Sequence, residues 1–320
     1  MQQEPPLIVR TRPQLWELFG IWRLSIVPRI APQILLVAAF SAAVTWAWHR
    51  YPVAFHSFSV APFTLLGIAL SIFLGFRNNA CYDRWWEARR QLGGLISEVR
   101  SLARLTVTLQ GGDRERRNRT VRRIIGWVYA LMAHLRGQPV PREVLHYWPR
   151  GEGHMVATVR PAGSPDPGPR DSCEWLLREI AHEYAAMLAD HEFGEQIYQR
   201  IDERLSSMAT IQAACERIRF TPTPFAYTLL LQRTAYAFCF LLPFGLVTTM
   251  GYATPLFSAL VAYAFFGLDV LGDEMEEPFG DWPNALPLSA MARTMEISLL
   301  EAIGAEDVPQ PLAPVDHLLR

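Results

Sequence analysis

Between Gly67 and Asn79 two stripes run side by side at four-residue spacing. Gly67, Ser71, Gly75 and Asn79 are small, whereas Ile68, Ile72 and Phe76 are bulky and apolar. On an α-helix each stripe becomes a ridge, and the two ridges are neighbours. A small-residue ridge lets another backbone approach closely, the usual way helices pack inside a bilayer. Several copies of this helix gathered about an axis would turn the bulky ridge into stacked apolar rings, which can close a water-filled passage by dewetting. The other arrangement packs the small ridge inside one chain and turns the bulky ridge to lipid. Spacing alone leaves both open.

Two charges also sit in otherwise apolar sequence. Arg233 and Asp269 each lie 18 residues from Gly251, about 27 Å along a helix at 1.5 Å per residue. In a helical hairpin turning at Gly251 they reach the same depth, so the spacing predicts an intramembrane ion pair. The alternative is that one of them lines a conduction path, since charges within a span either pair or mark a pathway. Other constellations are weaker. His182-Glu183 and His191-Glu192 are too far apart for an HExxH zinc helix and read as surface residues of an amphipathic helix. The run Arg114, Arg116, Arg117, Arg119, Arg122 and Arg123 also contains Glu115, follows Asp113 and reads as a solvated turn opening a helix. Four cysteines far apart, Cys81, Cys173, Cys215 and Cys239, suggest neither a zinc site nor a disulfide framework. No phosphate loop, nucleophile elbow or dinucleotide fingerprint is present.

The elements that must position these residues are set by where the apolar residues fall. The 320 residues are 50% hydrophobic and 19% charged, and the 30 basic side chains, all arginine, nearly balance 31 acidic ones. A net charge of −1 argues against a surface built to grip nucleic acid. Four segments concentrate the hydrophobicity: Ala31 to Trp48, Val60 to Phe76, Phe225 to Met250 and Tyr252 to Leu271. At about 1.5 Å per residue each is long enough to cross most or all of a hydrocarbon layer of roughly 30 Å. Arginines cluster before the first span, after the second and before the third, which by the positive-inside bias places both termini and the long middle region in the cytoplasm. Trp46, Trp48 and Tyr51 read as anchors at the outer interface. The opening residues, Met1-Gln2-Gln3-Glu4-Pro5-Pro6, do not read as a secretory signal. From about Tyr82 to Phe220 the apolar spacing is that of amphipathic helices, interrupted by a Pro/Gly-rich stretch from Pro149 to Pro169. There is no period-two strand pattern and no internal repeat, so the chain reads as all-α.

Longer motifs sharpen this. Ala61-Pro62-Phe63, Gly67 and the run Ile72-Phe73-Leu74-Gly75-Phe76-Arg77-Asn78-Asn79-Ala80-Cys81-Tyr82-Asp83-Arg84-Trp85-Trp86-Glu87-Ala88-Arg89 resemble the bestrophin family of ion channels, in its bacterial branch. The likeness continues through Ile211-Gln212-Ala213-Ala214-Cys215-Glu216-Arg217-Ile218, Thr221-Pro222-Thr223-Pro224-Phe225, Glu276-Glu277-Pro278-Phe279-Gly280 and Asn284-Ala285-Leu286-Pro287-Leu288, and reaches Leu7-Ile8-Val9-Arg10. It implies a homopentamer around one central pore, with a narrow neck at Ile68, Ile72 and Phe76 and a cytoplasmic constriction at Ile211. Gly67, Ser71 and Gly75 would serve helix packing. Animal members bind calcium through an acidic run after the Pro-Phe-Gly triplet; here only Asp281 follows Gly280, so no such clasp, and no metal or cofactor, is expected. The resemblance does not carry over the sign of the permeant ion.

The resulting expectation is a polytopic membrane protein with four transmembrane helices and a cytoplasmic helical body. Its divisions are an N-terminal segment at 1–30, helices one and two in 31–81, a cytoplasmic region at 82–220 with a flexible loop at 149–171, helices three and four in 221–272 and a C-terminal segment at 273–320. The function expected is passive conduction of small monovalent ions, anions or cations, without catalysis, in a bacterial inner membrane. The partners are further copies of the chain, membrane lipids and the permeant ions, with no nucleic acid. Two other classes remain open: a membrane-embedded enzyme with a polar site around Arg233 and Asp269, and a secondary transporter.

Overall fold

The computed structural model describes residues 25–51, 59–109, 112–148 and 172–314. The expected loop at 149–171 and the motif at Leu7 to Arg10 lie outside them. The described residues are helical, with no strand among them. In chain order the helices are α1 (Val27–Arg50), α2 (Ala61–Val107), α3 (Arg114–Arg136), α4 (Arg142–Tyr147), α5 (Ser172–Ala189), α6 (Glu195–Phe220), α7 (Phe225–Met250), α8 (Thr254–Glu276) and α9 (Leu288–Ile303). The chain divides into two compact units, one of residues 11–86 and 222–278, the other of residues 1–10, 87–221 and 279–320.

The first unit contains three helical stretches long and apolar enough to cross a membrane: Val27–Arg50, the start of Ala61–Val107, and Phe225–Glu276. The last is two helices. At Gly251 the backbone takes φ +51°, a left-handed value suited to glycine, and a short 3-10 turn over Gly251–Ala253 starts α8. Tyr236 against Phe266 and Phe238 against Phe265, with ring centroids 4.7 and 5.4 Å apart, hold the hairpin together. Small residues then bring the helices close. Ser41 of α1 donates to or accepts from Ser258 of α8 at 3.2 Å, both fully buried. A Cβ at Gly245 would stand 2.5 Å from the ring of Phe63, and one at Gly67 would stand 3.1 Å from Phe238. The apolar core of this unit gathers Ile30, Val37, Leu70, Leu231, Phe238, Leu242 and Phe266. Pro243 lies inside α7 and cannot donate to the ladder, a loss that packed neighbours make tolerable in a spanning helix.

The second unit is built around α3. Asp113 caps its start by accepting from the Glu115 amide at 2.8 Å, and Gly137 ends it in the left-handed region. Val121, Ile124, Trp127, Val128, Leu131 and Leu135 are fully enclosed. Trp127 finds a partner for its indole N–H in the Cys173 carbonyl at 3.1 Å. Thr106 and Tyr184 share a buried hydrogen bond. Glu296 on α9 is buried and satisfied by the hydroxyls of Tyr129 and Tyr147 and by Arg293 at 2.8 Å. Burial, with the adjoining Glu296 carboxylate, raises both phenols above their ordinary range, so they remain donors.

The arginine run and the His-Glu pairs differ from the expectation of solvated surface. Arg116 reaches Glu183 at 2.7 Å, Asp190 at 2.6 Å and Glu192 at 2.9 Å, and Arg123 reaches the other Glu183 oxygen at 2.7 Å. The two acids of the HE pairs therefore tie α5 and the turn after it to α3, while Arg114 and Arg122 stay exposed. Periodicity found the helix but could not foresee which arginines face a neighbour. Burial alone would raise the Glu183 carboxyl; the Arg116 hydrogen bond and the Arg123 charge outweigh it and hold it below its usual value. A carboxyl lowered by folding contributes stability that is present above the unfolded value and lost as pH falls through the folded one. Thermal unfolding followed below pH ~4, the ordinary carboxylate range, should therefore lower the midpoint of the wild type more steeply than that of Glu183→Gln.

Candidate pore helix and its polar clamp

The residues of α2 between Ala61 and Trp86 divide by exposure into two opposite faces. Leu70, Leu74, Arg77 and Cys81 are buried, a spacing of three or four that marks one face of a helix. Leu65, Ile68, Ile72 and Phe76 are 71%, 55%, 51% and 62% exposed. At 100° per residue, Ile72 lies about 160° from Leu70 and Leu74. The bulky ridge therefore lies on the outward side of α2, largely turned from the rest of its own chain. The small ridge is split: Gly67 packs beneath Phe238, whereas Ser71 and Gly75 are exposed, and nothing approaches within 4 Å of a Cβ at Gly75. The Ser71 hydroxyl folds back onto the Gly67 carbonyl at 2.8 Å. Beside both ridges runs an apolar groove of about 510 Å³, lined by Gly67, Ile68, Ser71, Ile72, Phe238 and Phe257 among others.

What fixes the rotation of α2 is Arg77. Its guanidinium is 1% exposed and bonds Asp269 at 2.8 Å and Asp273, with Glu276 at 3.6 Å. These acids stand at i, i+4 and i+7 on α8, so they share one face. Gln232 of α7 donates to the second Asp269 oxygen at 3.2 Å. Glu276 accepts from both the amide and the hydroxyl of Thr223, at 2.9 and 2.5 Å, which anchors the turn leading into α7. Arg84 donates to the Glu276 carbonyl at 2.7 Å, and Arg29 of α1 pairs with the buried Glu274 at 2.7 Å. One polar cluster thus joins α1, α2, α7 and α8 near the C-terminal end of α8.

Two expected assignments are overturned. Asp269 does pair within the membrane-type unit, but with Arg77, and Arg233 is exposed with no ion-pair partner among the described residues. Counting outward from Gly251 compared depths only inside the hairpin, while the true partner lies 192 residues earlier on α2. With Asp269 held in this way, the polar site imagined for an enzyme around Arg233 and Asp269 is not formed. Ile211, expected at a cytoplasmic constriction, is 8% exposed, with its Cδ1 3.6 Å from a Cβ built at Gly94. A side chain enclosed by its own chain cannot also narrow a lumen. Sequence reasoning missed Arg77, Asp273, Glu276 and Thr223 as a group. The signal was there in two parts: an arginine five residues beyond Ile72, hence on the opposite side of the helix, and three acids at helical spacing.

Gly272 is part of the clamp, because a Cβ there would stand 2.6 Å from Asn78 Oδ1 and 3.0 Å from Arg77 Nη1. Replacing Gly272 by Ala should push Arg77 off α8 and lower the thermal midpoint of the detergent-solubilised protein. Arg77→Ala should lower the midpoint further, because it leaves the half-buried Asp269, Asp273 and Glu276 facing one another without their cation; an unchanged midpoint in both variants would rule the clamp out.

The comparisons with known proteins agree with this architecture. A family model described as Bacterial/Fungal Bestrophin protein matches residues 7–301. A Mesorhizobium japonicum relative, voltage-dependent anion channel-forming protein mll4386, is 42% identical, with 99% of this chain and 98% of the relative aligned. The Escherichia coli K12 protein YneE, also named a voltage-dependent anion channel-forming protein, is 35% identical across 97% of this chain and 99% of its own length. The crystal structure of a bacterial bestrophin homolog from Klebsiella pneumoniae superposes with a TM-score of 0.79 at 34% identity, covering 87% of this chain and 100% of that one. By a match that spans nearly the whole sequence and an all-helical fold shared with a solved homolog, the chain belongs to the bacterial and fungal bestrophin family.

Proposed function

We propose that this chain is the subunit of a homopentameric channel that conducts small monovalent ions passively through a central pore. Four membrane crossings, formed by α1, the first half of α2, α7 and α8, would place both termini and the 82–220 region in the cytoplasm of a bacterium, with the pore spanning its inner membrane. Ile68, Ile72 and Phe76 of each copy form the neck. The observation that carries this reading is the outward apolar ridge on a helix whose opposite face is locked by Arg77. A helix pinned in this way cannot roll to bury the ridge within its own chain, so the ridge needs either lipid or further copies. The relatives named as anion channel-forming proteins favour further copies around a conduit. The groove beside Gly67 and Ser71 offers the neighbouring copy a close seat.

In this neck no catalysis occurs; three apolar rings raise the cost of a hydrated ion until the passage widens and wets. Ile72→Ala and Phe76→Ala should each raise single-channel conductance or open probability severalfold in planar bilayers, because a shorter side chain widens and wets the ring. Currents indistinguishable from wild type in both would exclude these residues from the neck.

A further inference from the structure

The face of α2 that carries the apolar ridge does not stop at Phe76. Continuing at helical spacing it reaches Asn79 and then Asp83, both exposed. Asp83 lies seven residues beyond Phe76, about 10 Å further along the axis and within about 20° of Ile72 in rotation. It has no hydrogen-bond or ion-pair partner among the described residues, and it is not named with those whose partners go unprinted. The nearby arginines are turned elsewhere. Arg77 is buried against α8, and Arg84 donates to the Glu276 carbonyl. One turn beyond, Glu87 is held by Arg217 at 2.5 Å, and Arg90 follows two turns from Asp83, about 10 Å away and beyond a Debye length of ~8 Å at physiological salt.

We infer that Asp83 is a selectivity-determining residue, which forms a ring of unpaired carboxylates just inside the apolar neck and biases permeation towards cations. This rests on the neck reading. The physical reason is that like charges lining a narrow passage with low-dielectric walls concentrate counter-ions and exclude co-ions. The same sequence that hides Arg77 against α8 leaves Asp83 facing the passage, so the ring carries one sign of charge. The bias would work against the anion preference in the names of the relatives, which makes its direction informative.

The test is the reversal potential of purified full-length channels in a planar bilayer under a NaCl gradient. Asp83→Asn should move it towards the chloride equilibrium potential, with the chloride-to-sodium permeability ratio rising roughly tenfold, the lower end of the enrichment that charged clefts produce. Asp83→Glu should keep the wild-type value, since the charge is retained. An unshifted reversal potential in Asp83→Asn, alongside altered conductance in Ile72→Ala or Phe76→Ala, would overturn the role of Asp83 and leave the neck standing. No change in any of these variants would overturn both.

Discussion

Arg77 is one cation at the end of a long apolar stretch, enclosed to 1% exposure and paired with Asp269 and Asp273, with Glu276 close by. A buried charge is tolerable only while its partners stay in place. That requirement fixes the rotation of α2 about its own axis and its height against α8. Through Glu276 it also fixes the Thr223 turn that starts α7, and through the neighbouring Glu274 it reaches Arg29 on α1. Gly272 is what makes the approach possible, because any side chain there would meet Asn78 and Arg77.

Once α2 is locked, the character of its free face follows from sequence order alone. The buried stripe Leu70, Leu74, Arg77 and Cys81 leaves Ile68, Ile72 and Phe76 outward, then Asn79 and Asp83. In the proposed assembly, apolar rings followed by a polar and then an acidic position would give a passage in which one segment resists hydrated ions and the next sets the sign of the field. The chain's membership of the bestrophin family fits this proposed arrangement, in which gating and selectivity would occupy successive turns of one helix.

Much of the fold could be read from residue order. Apolar segments of spanning length, their arginine flanks and the glycine at the hairpin turn mark the membrane-type helices because the bilayer imposes length and polarity directly. The ridges at 67–76 were visible for the same reason, since helical periodicity is local. What escaped was long-range. Asp269 and Arg77 are 192 residues apart, and no local pattern says which arginine an acid will meet. The end of the apolar run at Phe76 also hid the fact that α2 continues to Val107, because hydropathy reports where lipid ends rather than where a helix does. Ile211 was misplaced for a related reason: being apolar in a motif says nothing about whether a side chain is enclosed by its own chain.

In the proposed channel the ridge of α2 faces a water-accessible passage shared by several copies. The four native cysteines are buried, so a single engineered thiol can report on that position. The decisive measurement is the current through Ile72→Cys channels exposed to a charged, water-soluble thiol reagent. A water-facing ridge predicts that the reagent modifies the thiol and blocks or alters the current. It would be contradicted by an unaltered current, with the thiol labelled only by a reagent that partitions into lipid.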